Sequence, residues 1–404
     1  MRNPSSRSAR PQTHLRQSSH PSQPEDALVK EYANNSAEPG VGDREDQDLA
    51  WPAMHFLWRE SSLARIRACR KVSIQPNGRV HVVSRHRGAG FNGLATCGSV
   101  HACPLCNRQI QALRTIEIGL AIALGMLEGS VLFGTFALPH AKRTPLSVAW
   151  SRLMLVWAKL TTSHTIRKAR NRLGYTGMIR VTEVTLSLES GHPHIHYLLF
   201  FDRVLSDKEI VTLQSLQQRV WARLAKVEGF KRPSFKYQTL RLANEHDADE
   251  ILSRYLSKSM SRYGRETEAL GKASMTPWAL LAEMTVRPSR EGIARWHEYE
   301  KASKGKQTYR WSNGLRARFG LPEPSRRAHD RDPSPVRNAP IGDGLQVSEA
   351  DRRLSQGFSI TNWASVRRHP ELAPGLLAAI GTDLDFDAGR RFCAEYSIPI
   401  APLE

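Results

Sequence analysis

The run of residues 191–200, GHPHIHYLLF, constrains the fold of this chain more than any other segment. It follows a second strand-like run, residues 178–188, after the turn-forming sequence Glu-Ser-Gly, so the two runs predict a β-hairpin. Residues two apart in a strand point to the same face. His194 and His196 would therefore present both imidazoles on one side of the sheet, with Ile195 and Tyr197 on the other.

Two neighbouring imidazoles can supply half of a metal site. Glu183, in the preceding strand, is the natural oxygen ligand if the hairpin register places it opposite an even-numbered residue of the histidine strand. A slip of one residue would put it on the wrong face. We expect Pro193 to end the regular strand before His192. A bare H-x-H is common as a solvent-facing pair, so this prediction depends on the other motifs.

A tyrosine and a lysine lie three residues apart in the sequence RYLSK, residues 254–258. On a helix, Tyr255 and Lys258 would share one face. A phenol of pKa about 10 must lose its proton to attack a phosphodiester, and a nearby ammonium group stabilises the phenolate. Such a pair alone is ordinary surface spacing. It gains weight because it follows the histidine pair by about sixty residues within a basic block.

Cysteines cluster before the histidine strand. Three of them, Cys97, Cys103 and Cys106, lie within ten residues in the sequence CGSVHACPLC. The N-terminal sequence resembles no export signal, so this spacing favours zinc over disulfides. Structural zinc takes four ligands. Cys69 is the expected fourth ligand, and His101 is the alternative.

Charge divides the chain into parts. The net charge is +19, but residues 1–50 and 321–404 each carry −2, so residues 51–320 carry +23. Such a block attracts phosphate by releasing counterions. The predicted organisation is a disordered leader (1–50), a basic cysteine-rich zinc-binding segment (51–110), a catalytic region ending in helices (111–321), a linker (322–344) and a small helical tail module (345–404).

Several classes of protein are disfavoured by the same sequence. The most apolar stretch, residues 118–139, is divided by Glu-Gly-Ser into two runs too short to cross a bilayer, and a helix followed by a strand explains it better. No G-x-x-x-x-G-K-[ST] motif occurs, so no nucleotide cofactor is expected. We expect a cytoplasmic protein that does not bind membranes.

Together these features resemble the plasmid rolling-circle replication initiators of the HUH endonuclease superfamily, in the type with one catalytic tyrosine. The resemblance covers roughly residues 60–320. Its motifs follow the family order: the cysteine knuckle, GTFALPH (134–140), the histidine strand, RYLSK, and then TPWALL (276–281) and WSNGLR (311–316). It implies an α+β fold with an antiparallel-sheet HUH endonuclease core, a zinc-knuckle insertion and flanking helices.

The resemblance also implies a mechanism. His194, His196 and Glu183 would hold Mg²⁺ or Mn²⁺, and Tyr255, assisted by Lys258, would attack an origin strand that is single-stranded or in a hairpin. The products would be a 5′-phosphotyrosyl protein and a free 3′-OH for a host polymerase, working with a host helicase. Related initiators end replication through a glutamate one helical turn before the tyrosine. Here that position is Ile251, so Glu250 and Tyr263 are both candidates for termination.

Three alternatives are left open by the sequence. An HUH transposase would use the same chemistry, whereas relaxases usually place the tyrosine before the histidine motif. A zinc-ribbon regulator would bind DNA without cleaving it, with the histidine pair and Tyr255 in structural roles. A metallohydrolase would need a further His or Asp cluster, and none is obvious.

Overall fold

The structure is a computed structural model of the 404-residue chain. It describes residues 42–85, 88–139, 144–187, 190–243, 275–321, 357–369, 371–381 and 383–403. Tyr255, Lys258, Glu250 and Tyr263 lie outside the described residues, as do His140 and the predicted linker.

An antiparallel sheet of five strands carries the histidine pair. Its strands are ordered β6-β3-β5-β4-β7. In chain order they are β3 (Val131–Ala137), β4 (Tyr175–Leu186), β5 (Gly191–Phe201), β6 (Leu240–Leu242) and β7 (Tyr309–Trp311). The long hairpin of β4 and β5 lies at the centre, with β3 on the far side of β5.

The hairpin register pairs Glu183 with His194. The predicted pairing of Glu183 with an even-numbered residue is therefore present. Pro193 does not end the strand, contrary to expectation, because β5 begins at Gly191 and Pro193 pairs with Val184. The contact between β3 and β5 stops at the pair Ala137–His194. Pro193 thus lies where β5 has only one neighbour, and proline is tolerated at such an edge because its missing N–H is not needed there.

Twelve helices occur in the part of the chain that the structure describes. They are α1 (Gly42–Glu60), α2 (Ala64–Ala68), α3 (Pro104–Glu128), α4 (Leu146–Thr162), α5 (His164–Arg172), α6 (Asp207–Val227), α7 (Pro277–Val286), α8 (Arg290–Ser303), α9 (Leu315–Arg318), α10 (Trp363–Arg367), α11 (Leu372–Ile380) and α12 (Phe386–Glu395). The sequence Ser-Asp-Lys-Glu at residues 206–209 predicts a capping box, and it is present at the start of α6, where Ser206 and Glu209 bond to each other's backbone N–H groups.

The apolar pattern of residues 146–173 predicts one long helix, but the structure has two, α4 and α5, separated at Ser163. The backbone of Ser163 is extended, with φ −57° and ψ 126°. Thr161 and Thr162 precede the break and donate hydroxyl hydrogen bonds to helix carbonyls one turn back. Side chains that compete for backbone groups in this way weaken a helix interior, which explains the interruption.

The two faces of the five-stranded sheet are different. The face of Ile195 and Tyr197 packs against α4, α5 and α6 in a core that includes the buried rings of Phe136, Trp157 and Trp221. The opposite face carries the histidines. Its far end is covered by α3, in which Gly125 lies against the ring of Phe200.

A second sheet joins the two ends of the described chain. It contains β1 (Val80–Arg85), β2 (Gly88–Asn92), β8 (Phe358–Ile360) and β9 (Ile400–Pro402) in the order β2-β1-β8-β9. The tail predicted as a small helical module thus also contributes two strands, of which β8 pairs with β1 of the cysteine-rich segment. Helices α1 and α3 cross the boundaries predicted at residues 50 and 110.

Helix α3 is long and apolar enough to span a membrane by length and composition alone. In the structure its residues Leu120, Ala121 and Ile122 are buried, and strand β3 follows after two residues, Gly129 and Ser130. This helix followed by a strand matches the interpretation drawn from the sequence.

Candidate metal centres

Three partly buried side chains converge on one face of the β4–β5 hairpin. The Nε2 atom of His194 lies 3.1 Å from Oε2 of Glu183, and Nε2 of His196 lies 3.5 Å from the same oxygen. One ligand atom from each residue falls within 4.8 Å of the other two. Two imidazole nitrogens and a carboxylate oxygen at this separation can bind a metal ion.

The far nitrogens of both rings have oxygen partners. Nδ1 of His194 lies 3.4 Å from the carbonyl oxygen of His192, and Nδ1 of His196 lies 3.0 Å from Oγ1 of Thr135. Such contacts set the ring orientation and the tautomer of metal-binding histidines. When Nδ1 of His194 carries the proton, the Nε2 lone pair faces the Glu183 carboxylate. Two lone-pair donors 3.1 Å apart are stable only with a proton or a cation between them, so the donor set fits a metal ion.

The motif GTFALPH contributes to this centre through residues that the sequence did not single out. Thr135 pairs with His196 across β3 and β5, which brings its hydroxyl to the imidazole. The ring of Phe133, two residues earlier, stacks on His196 with centroids 5.6 Å apart. Gly134 between them is required because a Cβ atom there would lie 2.3 Å from the ring of Tyr197. The alternation of β3 was the signal that could have identified Phe133 and Thr135.

Tyr309, in β7, lies close enough to Glu183 for the carboxylate charge to act on its phenol. Its hydroxyl donates a hydrogen bond to Oε1 of Gln111 in α3. Burial, and after it the Glu183 carboxylate, raise the pKa of Tyr309 above its ordinary value.

The four cysteines from the first part of the chain form a second cluster. The Sγ atom of Cys69 lies 3.6 Å from those of Cys103 and Cys106, and the Sγ atoms of Cys97 and Cys106 are 3.7 Å apart. All four sulfurs fall within 4.8 Å of one another, and no disulfide joins them. Four converging thiols are a donor set typical of structural zinc.

The clustered thiols differ in pKa because of their contacts with one another and their burial. Hydrogen bonds from Cys103, Cys69 and Cys97 hold the pKa of Cys106 well below its ordinary value, whereas burial raises the pKa of Cys103 well above it. Backbone N–H groups also point at sulfur: that of Cys106 lies 3.5 Å from Sγ of Cys103, and that of Cys97 lies 3.4 Å from Sγ of Cys69. Such donors favour the thiolate form that a metal requires.

His101, the alternative fourth ligand, is engaged elsewhere. Its Nε2 lies 3.1 Å from the carbonyl oxygen of Lys306 and 3.1 Å from Oγ1 of Thr308, and Nδ1 lies 3.5 Å from the hydroxyl of Tyr299. Burial lowers the pKa of His101 to about 4. The structure therefore places Cys69, and not His101, with the other three sulfurs.

The segment with Tyr255 and Lys258 lies between two anchored residues. Ala243 donates a hydrogen bond to the carbonyl oxygen of Val131, 2.8 Å away, at one edge of the five-stranded sheet. Met275 pairs with Leu186 in both directions, at 2.6 and 2.7 Å, near the end of β4. The positions of Tyr255 and Lys258 lie outside the described residues.

The chain resembles two proteins of Streptomyces. It is 28% identical over 362 residues to "Protein rep" of Streptomyces lividans, which covers 72% of this chain and 76% of that protein. It is 31% identical over 133 residues to the "Neomycin resistance protein" of Streptomyces cyanogenus, which covers 26% of this chain and 30% of that protein. No protein-family model and no solved structure matches it.

Proposed function

We propose that this protein initiates plasmid replication by nicking one DNA strand at the origin. The observation that carries the proposal is the group of His194, His196 and Glu183 on one sheet face, with their ligand atoms within 4.8 Å of one another. Similarity to Protein rep over most of both chains supports the replication role. The excess of +23 charges in residues 51–320 supports DNA as the substrate.

The two histidines and Glu183 would hold Mg²⁺ or Mn²⁺. When bound, that ion would polarise the scissile phosphate and offset the charge that develops on the leaving oxygen. Hard divalent ions prefer oxygen ligands and keep several waters, so a site with one carboxylate leaves room for phosphate oxygens. Thr135 and the carbonyl of His192 would keep both imidazoles oriented.

Tyr255 is the proposed nucleophile, and Lys258 would stabilise its phenolate. The phenolic oxygen forms a bond to phosphorus while the bond from phosphorus to the 3′ oxygen breaks. The phenol gives up its proton and the 3′ oxygen gains one, so a 5′-phosphotyrosyl protein and a free 3′-OH result. The phosphotyrosine conserves the energy of the broken bond, so the strand can be rejoined without a nucleotide cofactor.

Tyr255 can reach the histidine face from its anchors. Met275 pairs with Leu186, which lies three residues, or about 10 Å, along β4 from Glu183. Met275 lies twenty positions after Tyr255, and such a length of chain spans up to about 65 Å when extended. The length of chain therefore places no obstacle to the attack.

The four cysteines would bind a structural zinc ion that fastens the cysteine-rich segment to the start of α3. Cys103 caps α3 and Cys106 lies in its first turn, while Cys69 and Cys97 flank the hairpin of β1 and β2. A host polymerase would extend the 3′-OH, and a host helicase would unwind the duplex. The protein would act in the cytoplasm, where such thiols stay reduced.

A DNA-binding regulator without cleavage activity is the second candidate function. The cysteine cluster favours it, because zinc knuckles often serve only to position a DNA-binding surface. A transposase would share the chemistry and differ in its DNA substrate. Both differ from the initiator in testable ways.

The test is to incubate the full-length protein with a labelled single-stranded origin oligonucleotide and Mn²⁺, and to look for an adduct that survives SDS. We expect an adduct with the wild type and with Tyr263→Phe, and none with Tyr255→Phe. An adduct that persists in Tyr255→Phe would overturn the assignment of the nucleophile. DNA binding without any adduct would favour the regulator, and strand joining to non-origin DNA would favour the transposase.

A further inference from the structure

The segment that follows α6 and includes β6 concentrates positive charge. Residues 229–243 contain Lys231, Arg232, Lys236 and Arg241 and no acidic residue. Lys231, Arg232 and Lys236 are exposed. Phosphate groups are the natural counterions for such a cluster.

Two exposed aromatic rings lie among these cations. Phe235 is 37% exposed and Tyr237 is 63% exposed. The guanidinium of Arg232 lies 5.2 Å from the centroid of the Phe235 ring, and Nζ of Lys236 lies 5.9 Å from that of Tyr237. Aromatic rings interleaved with cations are the pattern by which proteins hold single-stranded nucleic acid, with bases stacked and the backbone neutralised.

Hydrogen bonds hold this segment in one shape. A 3₁₀ turn covers Phe235–Tyr237. The buried Gln238 lies at its end and bonds through its side chain to the carbonyl of Ser234, at 3.4 Å, and through its own carbonyl to the side chain of Gln218, at 2.7 Å. The rings are therefore displayed on a fixed support, which lowers the entropic cost of binding.

The same segment reaches the histidine centre. The carbonyl oxygen of Thr239 accepts a hydrogen bond, at 2.9 Å, from the N–H of Thr135, whose hydroxyl contacts His196. The guanidinium of Arg241 lies 5.5 Å from the centroid of the Phe133 ring, which itself stacks on His196. A strand held by this segment would thus pass beside the candidate metal centre.

We propose that these residues form a binding track for single-stranded DNA that leads to the nicking site. The basic-aromatic loop consists of Lys231, Arg232, Phe235, Lys236, Tyr237 and Arg241. The bases stack on Phe235 and Tyr237, and the four cations neutralise the phosphates between them. That the track ends at a nicking site rests on the proposed function, whereas its binding of single strands does not.

The test measures the affinity of the zinc-loaded full chain for a fluorescent oligothymidylate of about 20 nucleotides, without added Mg²⁺ or Mn²⁺. We expect the double variant Phe235→Leu/Tyr237→Leu to bind roughly tenfold more weakly, because leucine keeps the apolar volume but cannot stack. The control is Tyr396→Leu, which alters a ring that is 48% exposed in the tail. It should bind as the wild type does.

Charge is tested separately. The triple variant Lys231→Gln/Arg232→Gln/Lys236→Gln should reduce the slope of log affinity against log salt by about 2, since each phosphate contact on a single strand contributes about 0.7. The matched control, Arg167→Gln/Lys168→Gln/Arg172→Gln, removes three exposed cations from α5, outside the basic-aromatic loop. It should leave the slope nearly unchanged.

The outcomes separate the two proposals. Wild-type binding that the loop variants weaken, with no covalent adduct under any condition, would support the track and refute the nicking function. An adduct together with unchanged affinity in both loop variants would refute the track. A wild type that binds duplex as tightly as single strands, or that binds neither, would also refute it.

Discussion

Glu183 stands directly opposite His194 in the β4–β5 ladder, and its Oε2 atom is 3.1 Å from Nε2 of that histidine. The pair joins two adjacent strands of one hairpin, so its geometry is set by backbone hydrogen bonds on both sides. Residues directly opposite in a ladder have Cβ atoms about 5 Å apart. That spacing suits two side chains that share one ion, and His196 adds the third donor from the same face.

Loss of any of the three donors should weaken Mn²⁺ binding. We expect His194→Ala, His196→Ala and Glu183→Gln each to lower the Mn²⁺ affinity at least about tenfold. Removing a residue that only orients a metal ligand already costs about tenfold or more, and removing the ligand itself should cost at least as much. Titration with Mn²⁺, followed through the paramagnetism of the ion, measures this affinity. His192→Gln is the control, because His192 shares the strand but is not among the three donors. An equal loss in His192→Gln would disprove the assigned ligand set.

Thr135 should tune the centre without binding the ion. Thr135→Val keeps the shape but removes the hydroxyl that lies 3.0 Å from Nδ1 of His196. We expect a loss of Mn²⁺ affinity of about tenfold, with little change in thermal stability. Thr212→Val is the control, as the hydroxyl of Thr212 in α6 donates a hydrogen bond to the carbonyl of Lys208, one turn back in the same helix. Unchanged affinity in Thr135→Val would remove Thr135 from the site.

Zinc content should distinguish Cys69 from His101. Cys69→Ser removes one of four clustered sulfurs, so we expect the purified protein to lose most of its zinc and much of its stability. His101→Gln should retain one zinc ion per chain, because His101 bonds to Lys306 and Thr308 instead. Metal analysis after gel filtration makes the comparison. Zinc loss in His101→Gln with retention in Cys69→Ser would reverse the assignment.

The stability of the protein should depend on pH through His101. Burial lowers its pKa from 6.5 to about 4, so between these values the unfolded chain binds a proton that the folded chain does not. Stability from this group therefore falls as the pH drops from 6.5 towards 4 and is constant above about 6.5. Relative to His101→Gln, the wild type should lose roughly 2 kcal/mol of unfolding free energy between pH 7 and pH 5. Urea unfolding of both proteins at the two pH values tests this. An equal change in unfolding free energy for the wild type and His101→Gln would contradict it.

The WSNGLR segment should contribute to stability through Arg316. Its guanidinium, 4% exposed, bonds both oxygens of Glu117 at 2.7 and 3.1 Å. Burial alone would raise the pKa of Glu117, but Arg316 and Arg114 hold it below its ordinary value. Glu117→Gln should therefore cost about 3 kcal/mol, because it removes the carboxylate from a buried cation.

The neighbouring pair on the same two helices provides the control. Glu128→Gln removes the partner of Arg318, whose side chain is 38% exposed, and should cost less than about 1 kcal/mol. Denaturant unfolding measures both changes. Equal losses for the two variants would show that burial does not govern the Glu117–Arg316 interaction.

Short-range patterns made much of the candidate site predictable. The alternation in residues 191–200 gave the strand and the shared face of His194 and His196, since side-chain direction in a strand follows from local geometry. The capping box at Ser206 and the first residue of α3, Pro104, are also local signals, because helix ends are decided by neighbouring side chains.

Contacts between distant residues required the tertiary structure. Strand alternation left the register open, and only the paired hairpin put Glu183 opposite His194 and Thr135 beside His196. Cys69 joined Cys103 because a whole hairpin folds between them, while His101, within the knuckle, turned to Lys306. The spacing of residues in the sequence determines which way their side chains point within one strand or helix. Which distant residue each side chain contacts depends on the packing free energy summed over many residues. That sum also paired β8 of the tail with β1, more than 270 residues away.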